Sequence, residues 1–426
     1  MNLPYTKKVF PNGARLILVP MNGVKSIASA VMVGVGSRYE TPEINGISHF
    51  LEHMVFKGTE KFPTTDDVNE IEKIGGLQNA YTDIDITNYH NKALAEDWQL
   101  SLEINKELAL NPRLDQQYVD KERDVILEEM KRYEDEPAAK VEEAYHSLLY
   151  KGTKLGMRII GEEKSLRSVA AAELSAFHKA WYQPQKMVVV LAGNFHGQES
   201  AIEEKVATWF GSLPQQKTED IEIVTSTQTK PELVVTTKPD ASQAHLTVGI
   251  RTFDRTSEDK YAWNLFNLIM GVSFTSRLFK EVREKRGLCY HVRSGSSAYA
   301  DVGSWDIYAG VATDKVEEAT KAILAELSKV REGGVTDEEL AIAKKRLIAM
   351  FSFKGEDPEF FTEWYGRSEL FGLPLFTLDD YISKIKSISK EDIHVLAKKY
   401  LRTETLNMSL VWNKSRDETL LNLLHI

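Results

Sequence analysis

The order of elements read along residues 14–195 is read again along residues 232–412, and this internal duplication constrains the fold more than any single motif. In the first half, "ARLILVP" (14–20) and "SIASAVMVGVGS" (26–37) are rich in β-branched and small apolar residues and predict adjacent strands. "GISHFLEHMVFKG" predicts a helix, and "TTDDVNEIEKIGG" (64–76) a second one, capped by Thr64 or Thr65 and stopped by a glycine pair. "LQNAYTDIDITNYHNKA" (77–93) returns to strand character with a polar break midway. Helices are predicted over most of 95–150, interrupted at "NPRLD", and over 168–182, and "KMVVVLAGNF" (186–195) reads as a buried strand.

The second half opens with "ELVVTTKPDASQAHLTVGIRT" (232–252), matching the first strand pair. "YAWNLFNLIMGV" (261–272) stands where the helix with two histidines stood, and "FTSRLFKEVREKRGL" (274–288) matches the helix that ends in Gly-Gly. A strand "SWDIYAGVA", two further helices, and a closing helix and strand complete the repeat. Between the halves, "PQQKTEDIEIVTSTQTKP" (214–231) is polar and bounded by prolines, which predicts a boundary: one domain over 1–215, a linker over 216–231, and a second domain over 232–426. At 426 residues the chain is too long for one ordinary core.

Two halves of one fold with different side chains at equivalent places suggest divided labour. The opening helix of the first half carries His49 and His53; the second has Asn264 and Leu268 in approximately those positions. The chemistry is therefore expected in the first half. Composition narrows its kind. A net charge of -10 without a long Lys/Arg block excludes a nucleic-acid footprint. Cys289 is the sole cysteine, so neither an internal disulfide nor a thiolate-rich metal site can be built, and any metal must use His and carboxylates. No apolar run approaches the roughly 18 residues needed to span a bilayer, and the N-terminus lacks a charged leader followed by an apolar stretch. The expectation is a cytoplasmic protein that does not enter a membrane.

On a helix, residues i, i+3 and i+4 share a face, so His49, Glu52 and His53 project together while Phe50, Leu51, Met54 and Val55 are free to pack. Two imidazoles at this spacing can ligate one Zn²⁺, and a carboxylate beside them can act as general base on its water. The order H-x-x-E-H is the inverted form of the common zinc motif. The competing reading is ordinary: a histidine on an apolar helix is commonly a satisfied core or surface residue. Three such groups within five residues would, however, be costly if buried without partners.

A catalytic zinc needs a third protein ligand and an open position. In "YVDKERDVILEEMKRYEDE" (118–136), Lys121, Asp124, Glu128 and Arg132 make a solvated stripe, and Glu122, Val125, Ile126, Glu129 and Tyr133 lie on the other, partly apolar side. Glu129 is thus the candidate ligand. Glu122 is the candidate for orienting a ligating histidine, or else one more charge on an acidic helix.

"GVGSRYETPEINGISHFLEHMVFKGT", "GGLQNAYTDIDITNY", "ERDVILEEMKRYED" and "SRLFKEVREKRGLCYHV" together resemble the pitrilysin, or insulinase, family of zinc peptidases, and most of all its bacterial members of the mitochondrial processing peptidase type. The resemblance spans nearly the whole chain. It implies an α+β fold of two homologous domains, each a mostly antiparallel sheet backed by helices. It implies one Zn²⁺ per chain held by His49, His53 and Glu129, with Glu52 as general base and Glu122 as supporting carboxylate.

The family's Arg and Tyr seven residues apart match Arg283 and Tyr290, groups able to hydrogen-bond a developing oxyanion. Without the resemblance, Arg283 is one of several bases at a helix end. Asn79 and Ala80 match the strand that pairs with substrate backbone; a solvated strand end is their plainer reading. Half-size members of the family pair around a closed chamber, so a homodimer is expected, with a heterodimer of related chains as the alternative. The expected activity is zinc-dependent endopeptidase action on peptides or unfolded segments; the rival is a non-catalytic or helper subunit of a paired assembly, since the family contains such chains.

Overall fold

The computed structural model describes residues 5–218, 220–225, 228–415 and 418–426. Six strands form the first sheet: β1 (Thr6–Val9), β2 (Arg15–Pro20), β3 (Ser26–Val33), β4 (Leu77–Thr82), β5 (Thr87–Leu94) and β6 (Met187–Gly193), in the order β1-β2-β6-β3-β5-β4. Five form the second: β7 (Glu232–Thr237), β8 (Gln243–Thr252), β9 (Cys289–Ala298), β10 (Gly303–Ala312) and β11 (Asn407–Trp412), in the order β7-β11-β8-β10-β9. From β2 onward the two orders correspond place by place. Each sheet has one parallel pair, β2 with β6 and β7 with β11, and is otherwise antiparallel. The chain is α+β and duplicated, as its repeated order of elements predicts.

The helices that matter for the site and its support are α1 (Ile47–Val55), α2 (Trp98–Leu110), α3 (Gln116–Asp135), α4 (Pro137–Leu149), α5 (Asp259–Gly271) and α6 (Pro358–Leu370). The first sheet is apolar on both faces. Leu16, Leu18, Val31, Val33, Val189 and Leu191 pack with Phe50, Leu51 and Met54 of α1 and Leu102 of α2. The alternate residues Ile17, Val19, Val188, Val190 and Ala192 pack instead on Phe361 and Tyr365 of α6. A strand buried on both faces reads as a continuous apolar run, which is why β6 shows no alternation.

That second cover is drawn from the other half of the sequence. One compact unit takes residues up to 130, 157–222 and 351–379; the other takes 131–156, 223–350 and 380–426. Helix α6 packs on β3 and β6 of the first unit, and α4 on β8 and β11 of the second. The division expected from the sequence, 1–215 and 232–426, follows the strands of the two sheets; the compact units differ from it by this exchange of covering segments.

Several elements depart from the sequence expectation. The polar break in 77–93 is a hairpin turn joining β4 and β5, with Thr82 paired to Thr87. Residues 64–76 hold two short helices, Thr65–Val68 and Glu70–Lys73, the first closed by a capping box between Thr64 and Asp67. Within 274–288 the chain makes a π-helical turn, Phe279–Glu284. Strand β9 has no counterpart in the sequence expectation because "CYHVRSGSSA" is polar and largely exposed, as an edge strand tolerates. Among the described residues no helix is long and apolar enough to cross a membrane.

Candidate functional site

Helix α1 has one buried face, formed by Ile47, Ser48, Phe50, Leu51, Met54 and Val55. What remains is the half-buried stripe of His49, Glu52 and His53. The helix starts at Gly46, which has no side chain to cap it. Glu40 serves instead: its Oε2 accepts from Gly46 N at 2.7 Å and from Asn45 Nδ2 at 2.9 Å, and its Oε1 accepts from Ser48 N at 2.8 Å. A carboxylate bound to the first free N–H groups of a helix fixes where that helix begins. Two residues of one turn then place the imidazoles.

Helix α3 delivers the carboxylates. Val119, Glu122, Ile126, Leu127 and Met130 are buried, Glu129 is half-buried, and Lys121, Asp124, Glu128 and Arg132 are exposed. The inward stripe is narrower than the sequence suggests: Val125 is 52% exposed and Tyr133 38% exposed. The Tyr133 ring is covered by Arg132, 5.5 Å from its centroid, rather than by the core.

These two helices bring His49, His53 and Glu129 together, each offering one ligand atom within 4.8 Å of the others. Glu129 Oε2 lies 3.4 Å from His53 Nε2 and 3.9 Å from His49 Nε2. Ligands about 2.0–2.1 Å from a tetrahedral Zn²⁺ stand about 3.4 Å apart, so this donor set fits the ion with a small inward movement. Burial, reinforced by the neighbouring His53, pushes His49 down to about 3, which leaves its imidazole neutral and able to ligate. His49 Nδ1 is buried without a hydrogen-bond partner, whereas His53 Nδ1 lies 2.9 Å from Glu122 Oε1. Burial opposes ionisation of Glu122, but the contacts to His53 and Lys57 outweigh it and hold its carboxyl below the ordinary range. Lys57 Nζ reaches Glu122 Oε2 at 2.7 Å.

Glu52, on the same face, sits against Thr82 of β4, and burial raises its pKa above the usual carboxylate value. Beneath it the buried Tyr89 and Tyr182 hydroxyls share a hydrogen bond of 2.7 Å. Strand β4 is one of the two edge strands of the first sheet. Ala80 faces the α1 side with the main core, while Tyr81 faces α6, where its hydroxyl donates to Glu363. Strand alternation therefore puts Asn79 on the side away from the metal helix. Its Oδ1 accepts the Ala80 amide at 2.9 Å.

Arg283 and Tyr290 belong to the second unit. The Arg283 guanidinium lies 5.2 Å from the Tyr290 ring and 4.8 Å from that of Phe279. Tyr290 is 80% exposed on β9, an edge strand of the second sheet. The structure thus gathers His49, Glu52, His53, Glu122 and Glu129 at one centre and pairs Arg283 with Tyr290 in the other unit. Lys57, Thr82 and Glu40 are additions that sequence reasoning misses. Lys57 alone has a local signal, four residues after His53 in "HMVFK".

The profile described as Insulinase (Peptidase family M16) matches residues 16–163, and that described as Peptidase M16 inactive domain matches residues 168–347. An uncharacterized zinc protease of Bacillus subtilis, YmxG, is 34% identical over 408 residues, covering 94% of this chain and 96% of the relative. The chain belongs to the M16 peptidase family. Another relative, an uncharacterized zinc protease of Streptomyces coelicolor, is 30% identical over 93% of this chain and 87% of its own. The M16 fold is matched by the crystal structure of a protease from Helicobacter pylori, with a TM-score of 0.90 at 23% identity over 97% of this chain and 100% of that one. A structure named peptidase M16 inactive domain, from Pseudomonas fluorescens, has a TM-score of 0.88 at 20% identity over 97% and 99% of the two chains. Among the described residues, the one group of three metal-competent side chains lies in the part matched by the M16 insulinase profile.

Proposed function

We propose that this M16 chain is a zinc-dependent endopeptidase that binds one Zn²⁺ through His49, His53 and Glu129 and hydrolyses peptides or unfolded segments. The observation that carries this reading is the convergence of those three ligand atoms beside Glu52. Zn²⁺ held by His49, His53 and Glu129 would supply Lewis acidity and make water more acidic, toward a pKa of about 7. Glu52 takes the water's proton and passes it to the leaving amine, and its burial moves its basicity toward what that transfer needs. Glu122 holds the His53 ring so that Nε2 faces Glu129.

Substrate backbone would pair with the edge of β4, where the Ala80 amide donates to the side chain of its neighbour Asn79. Such pairing gives affinity with little sequence preference. We read Arg283 and Tyr290 as donors to the developing oxyanion, delivered to the zinc centre of a second copy across a homodimer that closes the chamber; a heterodimer with a related chain would serve equally. A cytoplasmic location is part of the same reading.

A helper subunit needs none of these groups, and the complete donor set with its base favours an active chain. Elemental analysis of the purified protein, with cleavage of a quenched peptide library, tests the reading. The expected result is one zinc per chain and cleavage that a chelator stops and zinc restores. A zinc-free, inert protein would overturn it.

A further inference from the structure

Glu122 is held from both ends. Its Oε1 meets His53 Nδ1 at 2.9 Å, and its Oε2 meets Lys57 Nζ at 2.7 Å. The Glu122 side chain is 8% exposed and that of Lys57 is 27% exposed, so the pair sits at the inner margin of the site rather than on open surface. Lys57 comes two residues after α1 ends, and its amide is bonded to Met54 O at 3.0 Å, so the segment that carries both histidines also carries the lysine.

The lysine also carries the charge opposite to that of the carboxylate it touches. Glu52, Glu122 and Glu129 together bring three negative charges when ionised, and a divalent metal offsets two. Lys57 brings the sum over these groups to zero. A buried carboxylate with one oxygen left unpaired is costly and free to turn. Once it turns, the His53 ring loses the acceptor that fixes its orientation.

We propose that Lys57 is a positioning residue for the metal: by holding Oε2 of Glu122 it keeps Oε1 on His53 Nδ1, and so keeps His53 Nε2 bare and aimed beside Glu129. The inference rests on the zinc reading of the site. The sign of the effect is decisive, because a lysine near a cation site would, if simple repulsion were its main effect, weaken metal binding. If it positions Glu122, its removal loosens the metal.

The test uses full-length wild type, Lys57→Met, Lys57→Arg, Glu122→Gln and the double variant Lys57→Met/Glu122→Gln. Zinc dissociation constants are measured by competition with a chelator at neutral pH, and thermal unfolding of each metal-free protein controls for folding. Lys57→Met is expected to weaken zinc about 10–100-fold, as loss of a partner behind a ligand commonly does, with Lys57→Arg recovering most of the loss. In the Glu122→Gln background, Lys57→Met should cost no more than about twofold, because the lysine acts through that carboxylate. The absorption bands of the cobalt(II)-loaded protein should change in Lys57→Met and return in Lys57→Arg. Unchanged or tighter zinc in Lys57→Met would overturn the proposal, and so would losses that simply add in the double variant, even if Lys57→Met also lowers the metal-free unfolding temperature. Wild type that takes up no zinc would instead overturn the zinc-peptidase function; wild type that binds while Lys57→Met binds equally well overturns this inference alone.

Discussion

Glu40, buried, and Glu52, half-buried, both have raised pKa values, but their surroundings assign them different tasks. Glu40 is ringed by the amides that open α1, and burial nevertheless pushes it up to about 7. Between its ordinary value of 4.5 and about 7, the folded chain holds a proton that the unfolded chain has released. Relative to Glu40→Gln, which does not titrate, wild type should therefore lose stability as pH rises through that window, by up to about 3 kcal/mol, and stay level above it. Denaturant unfolding of both metal-free proteins at about pH 5 and about pH 8 measures the difference; equal differences at the two values would rule the coupling out. At this scale the sequence is most legible where geometry is local. His49, Glu52 and His53 share a face by helical spacing alone, and Glu129 follows from a second helix stripe. Glu40 reaches only five to eight residues ahead, to Asn45, Gly46 and Ser48, but through an irregular segment with no period, and Lys57 and Thr82 meet Glu122 and Glu52 across folds of the chain. Val125 departs from its stripe because an apolar residue on the inner side of a helix can still face solvent beyond the reach of the core.

Elements carry the site through one tight joint. Gly46 has φ 96°, and a Cβ there would lie 2.8 Å from Gly161 Cα and 2.8 Å from Ile160 O, so the backbone of that neighbouring segment forbids a side chain. Gly46→Ala should cost about 1–3 kcal/mol and shift the start of α1. The expected signature is a lowered denaturant midpoint together with weaker zinc uptake; a variant as stable as wild type would show that the joint is not strained. The helices and central strands of this joint are predictable because they are long and strongly patterned. Strand β1, with all four residues exposed, and the polar edge β9 are not, since an edge strand is specified by its neighbour and not by its own hydrophobicity. Helix α6 begins at Pro358 after Asp357, whose side chain accepts from Glu359 N, yet its destination on the first sheet cannot be read from that cap.

At the scale of the molecule, the repeat predicts two similar sheets but not the exchange of their covers. The first sheet's second face is closed by Phe361 and Tyr365, which arrive more than a hundred residues after the linker. A fragment ending at residue 215 should therefore lack cooperative unfolding, and Phe361→Ala should cost the zinc-bearing unit about 3–5 kcal/mol. Calorimetry of the fragment and denaturant unfolding of the variant check both; a stable 1–215 fragment would mean that α6 is dispensable. Assembly is open to a separate test. If Arg283 and Tyr290 of one copy serve the metal of another, inactive His49→Ala and inactive Arg283→Ala chains should regain part of the wild-type activity when unfolded and refolded together. No recovery would argue that each chain completes its own site.

The zinc content and peptide turnover of Glu52→Gln, purified free of other proteases and set beside wild type, bear on the chemistry without an intermediate step. The variant should retain one zinc per chain, because Glu52 is not among the three ligands, and its kcat should fall by at least about 10²-fold, because the water's proton has lost its acceptor. A variant that keeps its zinc and cleaves as fast as wild type contradicts the role of Glu52 as general base.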